Sequence, residues 1–152
     1  MVGQYLIVCK YKSGIKQWGC SIKTIGIIGS RRRNTIKDKE LLQEWFSLVY
    51  TPGDRIVSGG CRAGGDAFAE EIAERLDMTI CYVIDGLDIT KDAHTIFIHS
   101  ALWDKHGKQA GLIRNTYIAR DADILIALVA PDRKGGTEDT LDKHRKVQII
   151  IQ

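Results

Sequence analysis

The sequence predicts one three-layer α/β domain in which helices cover both faces of a mostly parallel sheet. Three observations predict it. From Thr24 onward, short apolar runs alternate with amphipathic stretches. The apolar runs are near-continuous rather than alternating, as strands are when both of their faces are buried. Glycine-rich or charged clusters then follow the runs, where strand-to-helix loops belong. The length of 152 residues suits a single domain with a sizeable core.

Taken in order, the elements are "TIGIIG" (strand), "KDKELLQEWFSLV" (helix), "DRIVSGG" (strand and loop), "DAFAEEIAERL" (helix) and "MTICYVI" (strand). In the first helix Leu41, Leu42, Trp45, Phe46 and Val49 share one stripe, and in the second Phe68, Ile72 and Leu76 do the same. Pro52-Gly53 and Asp77 punctuate the connections. The second half continues with "KQAGLIRNTYIARDA" (helix), "DILIALVA" (strand), "EDTLDKHRK" (helix) and "VQIIIQ" (strand). Two segments fit the rhythm less well. Residues 1–23 read as an N-terminal extension, a hairpin or edge strand built from "QYLIVCKY" and "QWGC", ahead of the main domain at 24–152. Residues 86–106, which include "TIFIHS", read as a long loop over the sheet edge.

The net charge of +3 is too small for a wholesale polyanion binder, so a nucleic-acid role needs a local patch. Cys9, Cys20, Cys61 and Cys81 form no CxxC pair and sit beside apolar residues, which favours free thiols in a reducing compartment. Neither they nor the four histidines have ligand-like spacing, so no metal and no cofactor is expected. "YLIVC" is too short to span a membrane, and a cytoplasmic location without membrane partners follows as the expectation.

Ligands of open parallel sheets gather outside the carboxyl ends of the strands, and four polar clusters fall there. "SGGCRAGGD" offers Ser58, Gly59, Gly60, Gly64 and Gly65, whose backbone N–H groups can curl around a phosphate near a helix start. The same glycines also suit a tight packing turn. Asp66 reads equally as an N-cap or as the acceptor of a ribose hydroxyl. "GSRRR" offers backbone donors at Gly29 and Ser30 and the guanidinium of Arg31, with Arg32 and Arg33 read as solvated surface. "AGLIRN" sets Arg114 on a helix face with Gly107 and Gly111, next to Asn115, while Ile113 and Tyr117 belong to the apolar stripe. "KGGTEDT" supplies Gly135 and Gly136, with Thr137 as an N-cap and Glu138 and Asp139 in the first turn.

In order and spacing, "IGIIGSRR", "VSGGCRAGGDAFAEEIA", "AGLIRNTYIARDADILIALVA" and "KGGTEDT" resemble the SLOG superfamily. That Rossmann-like group includes the Smf/DprA DNA-processing proteins and the LOG phosphoribohydrolases, and the likeness is greatest to its small stand-alone YspA-like members. The resemblance implies a nucleotide pocket lined by Gly29, Ser30, Arg31, Ser58, Gly59, Gly60, Gly64, Gly65, Asp66, Arg114, Asn115, Gly136 and Thr137. It also implies a homodimer, for which Trp45 and Phe46 look like more aromatic surface than one helix stripe needs. The phosphoribohydrolase branch carries PGGxGTxxE with a catalytic glutamate. Here the proline and one glycine are missing, and Thr140 stands where the glutamate would be.

A protein that binds a nucleotide or nucleotide derivative, sensing or sequestering it, is therefore the first expectation. A nucleoside 5'-monophosphate N-glycosidase is the second; in it Arg114 would orient phosphate, and Glu138 or Asp66 would assist departure of the base. Glu138 is two places from the lost glutamate, which on a helix turns its side chain about 200 degrees away. Nucleic-acid binding through Arg31 to Arg33 and Lys143 to Lys146 is the third, and it lacks a groove-reading helix or a stacking surface.

Overall fold

A computed structural model describes residues 22–152; the expected hairpin or edge strand in 1–21 lies outside them. Among the described residues there are six strands: β1 (Thr24–Gly29), β2 (Arg55–Ser58), β3 (Thr79–Val83), β4 (Thr95–His99), β5 (Ile124–Leu128) and β6 (Val147–Ile151). They form one sheet in the order β3-β4-β2-β1-β5-β6, with every pair parallel. Five helices connect them: α1 (Ile36–Val49), α2 (Gly65–Arg75), α3 (Trp103–His106), α4 (Ala110–Asp121) and α5 (Gly136–Lys143).

Alternate strand residues feed two separate cores, which is why the runs are apolar throughout. Ile25, Ile27, Ile56 and Ile126 meet Leu42, Phe46 and Val49 of α1 and Phe68 and Ile72 of α2 on one face. Val57, Phe97, Leu125 and Ala127 meet Ile118 of α4 and Leu141 of α5 on the other. The result is the expected Rossmann-like three-layer fold. No helix among the described residues is long and apolar enough to cross a membrane. Phe46 lies in the core and Trp45 packs against it, so the aromatic surplus that suggested a pairing face on α1 is absent.

The loop expected across residues 86–106 is corrected. Residues 95–99 form β4, buried at every position and inserted between β2 and β3. At its polar ends Thr95 Oγ1 donates to the Ala93 carbonyl at 2.9 Å, and His99 Nε2 sits 2.5 Å from Asp121 Oδ2 at the end of α4, while the buried His99 Nδ1 has no partner among the described residues. The insertion pushes β3 to the edge of the sheet, where Ile80 and Tyr82 are exposed rather than covered.

After β1 the chain builds the sheet toward β2, and it returns to the other side of β1 only at β5. The strand order therefore reverses between β1 and β5. A crevice is expected there, outside the carboxyl ends of those two strands.

Candidate functional site

A hollow of about 340 Å3 occupies that crevice. Ile28, Gly29 and Ser30 from the end of β1 form one side, and Gly135, Gly136 and Thr137 at the start of α5 form the other. Ile118 and Thr140 contribute from α4 and α5. Arg31, Cys61, Arg114, Asn115 and Gly136 also line an adjacent second hollow of about 610 Å3, bordered by the β2–α2 loop, α3 and α4.

The β2–α2 loop is shaped mainly by packing. Gly60 and Gly64 have φ of +74° and +75°, a conformation that side chains disfavour. A Cβ on Gly65 would lie 2.3 Å from the Ile28 carbonyl carbon, because the first turn of α2 rests directly on the β1 backbone. On Gly59, a Cβ would come within 3.1 Å of the Arg114 guanidinium carbon, so this glycine makes the seat for Arg114. Gly59 and Gly60 line the larger hollow. Ser58, Gly64 and Gly65 line neither one and stand behind the wall.

Asp66 is not the N-cap of α2. Gly64 holds that position, and Asp66 is the second residue of the helix. Its buried carboxylate accepts from the Cys61 backbone N–H and lies 3.1 Å from Ser58 Oγ, which also reaches the Ile27 carbonyl. The carboxylate thus ties the loop to the sheet while still forming part of the smaller hollow. Burial, with Asp66 nearby, pushes the Cys61 thiol up and keeps it protonated at neutral pH.

The arginine cluster divides differently from expectation. Arg31 is exposed, lines both hollows, and makes no hydrogen bond or ion pair among the described residues. Arg32 lines the smaller hollow and pairs with Asp132 at 2.6 Å. Arg33, expected as solvated surface, is a strut. Its Nη1 donates to the carbonyls of Val129 at 2.8 Å and Ile151 at 3.2 Å, and its Nε donates to Asp38 at 2.8 Å. Burial alone would raise the Asp38 carboxyl; the hydrogen bonds from Arg33 and Thr35 hold it below the usual range. The Ser30 backbone N–H is also committed, donating to the Leu128 carbonyl at 2.9 Å.

On the opposite wall, Arg114 Nη1 donates to the Gly59 carbonyl at 3.2 Å, and its buried Nε has no partner among the described residues. Asn115, buried, donates to the Gly136 carbonyl at 3.1 Å and to Asp139 at 3.2 Å, bracing the start of α5. Gly107 falls in a 3-10 turn ahead of α4, so it does not share a face with Gly111 and Arg114. Thr137 is not a cap either: Gly135, at φ +111°, is the N-cap of α5, and no side chain caps the helix. Its free N–H groups therefore border the smaller hollow. Glu138 lines neither hollow and is gripped through both carboxylate oxygens by Arg133. Thr140, two places on, does face the hollow.

Cys61, Arg62, Trp103, Lys108 and Lys134 also line the two hollows and lay outside the expected site. Across both, the described lining residues include six cationic side chains (Arg31, Arg32, Arg62, Lys108, Arg114 and Lys134) and one carboxylate, that of Asp66; of the six, Arg32 is paired with Asp132. Charge is concentrated here although the whole chain carries only +3.

Comparison with family models, curated proteins and solved structures found no match. The residues quoted above are thus the whole basis of the SLOG resemblance.

Proposed function

We propose that the crevice binds a phosphorylated nucleotide or nucleotide derivative, and that the protein senses or sequesters this ligand. The observation that carries the reading is the excess of cations over carboxylates at the switch point of the sheet, beside an uncapped helix start. Both features attract anions, and Arg31 has no competing partner within the described residues. Hydrolysis of the glycosidic bond has less support. Asp66 is engaged by Ser58 and Cys61, Glu138 is held outside by Arg133, and the position facing the hollow is Thr140.

Calorimetry with nucleosides and their 5'-monophosphates tests the reading. The monophosphates bind and the nucleosides do not, and Arg31→Ala weakens the monophosphate about tenfold with no change in folding stability. Equal affinity across each nucleoside pair would reject an anion site. Incubated AMP, GMP, CMP and UMP are recovered without free base; base release that vanishes in Asp66→Asn would make the protein an enzyme instead.

A further inference from the structure

The larger hollow has a feature that phosphate binding does not use. Trp103 is 59% exposed, although an indole is among the side chains that gain most from burial. The short helix that carries it, α3, is tied to the turn after β3, where Lys105 and His106 both reach Asp85, the latter at 3.0 Å. The benzene end of the indole lies over α4, with Cη2 3.5 Å from where a Cβ on Gly111 would be. Trp103 lines the larger hollow together with Leu112, Arg62 and Lys108, and no carboxylate lines it among the described residues. An exposed indole in a cationic hollow next to an anion site matches the needs of a flat π-system joined to a phosphate.

Resting on the reading of the crevice as a phosphate site, we infer that the larger hollow is a nucleobase subsite with Trp103 as its stacking platform. The two hollows are adjacent and share Arg31, Arg114 and Gly136, so one nucleotide would place its phosphate beside α5 and its base toward Trp103. Stacking accepts any base face, so Trp103 supplies affinity for the base as a class and not selection among bases.

The test compares ribose 5-phosphate with the four common nucleoside 5'-monophosphates, using calorimetry and tryptophan emission on the full chain. At least one monophosphate binds about tenfold more tightly than ribose 5-phosphate and quenches emission, as a stacked base should. Trp103→Ala abolishes the quench and brings that nucleotide down to the affinity of ribose 5-phosphate, whose own binding is unchanged. Trp103→Phe restores most of the difference. Because the side chain is largely exposed, thermal melting of both variants matches wild type. If ribose 5-phosphate binds as well as every nucleotide, or Trp103→Ala weakens both probes alike, the base subsite is wrong and the phosphate site survives. If neither probe binds, the phosphate reading fails and takes the subsite with it.

Discussion

The β2–α2 loop and the β5–α5 turn are both glycine-rich entries to a helix at the carboxyl edge of the sheet, yet they do opposite work. In the first, with four glycines between Ser58 and Asp66, the protein itself occupies what the glycines make available: β1 lies against Gly65 and Arg114 lies against Gly59. In the second, with only Gly135 and Gly136, nothing lies within 4 Å of a Cβ built on Gly135, and only Asn115 Nδ2, at 3.5 Å, approaches one on Gly136. The number of glycines therefore says little about anion binding. What decides it is whether the space and the N–H groups they expose have already found partners within the fold.

The largest effect that separates the two loops is steric. Gly65→Val forces α2 off β1 and costs about 3 kcal/mol of stability in urea unfolding. Gly136→Ala changes it by less than about 0.5 kcal/mol. Comparable losses at both positions would erase the distinction.

A smaller contrast concerns the acidic residues of the two helix starts. Asp66→Asn replaces a buried acceptor of the Cys61 N–H with a group that is half donor, for a loss of about 2 kcal/mol. Glu138→Gln loosens a partly exposed pair with Arg133 and costs about 0.5 kcal/mol or less. Equal costs would mean that Asp66 does not knit its loop.

The smallest effect is in pH. Burial holds the His144 imidazole, at the end of α5, below its ordinary range. The unfolded chain then takes up the proton first, so this contribution to stability is complete above the unfolded value near 6.5 and declines as pH falls below it. Helix α2 has no histidine. Unfolding midpoints measured between pH 7 and 5 fall more steeply for wild type than for His144→Gln, and identical slopes would remove His144 from the account.

Much of this was legible in the chain. Five of the six strands and the four longer helices follow from apolar runs and periodic stripes, and the convergence of the glycine and arginine clusters follows from their positions after strands. The exclusion of Glu138 from the hollow follows from helix rotation alone. What escaped depends on partners distant in sequence. In β4 the polar His99 looks like the end of a loop until Asp121 is beside it. Arg33 resembles its two neighbours until the carbonyls of Val129 and Ile151, near the other end of the chain, come within reach. Asp66 and Thr137 were misplaced by a shift of helix start: each helix begins two residues earlier than a cap at its polar residue implies, and a glycine is the N-cap.

The contact between Gly65 and the β1 backbone also has a thermodynamic side. Two backbones pressed together without side chains leave the layer behind that wall of the crevice little room to shift, so the fold itself sets its position. The facing wall is an eight-residue helix entered through two glycines with open surroundings. Whatever ordering entropy association costs falls chiefly on the α5 side. In the binding proposed above, substitutions that stiffen residues 131–137 are expected to raise affinity, while further bracing of the α2 side is expected to leave it where it is.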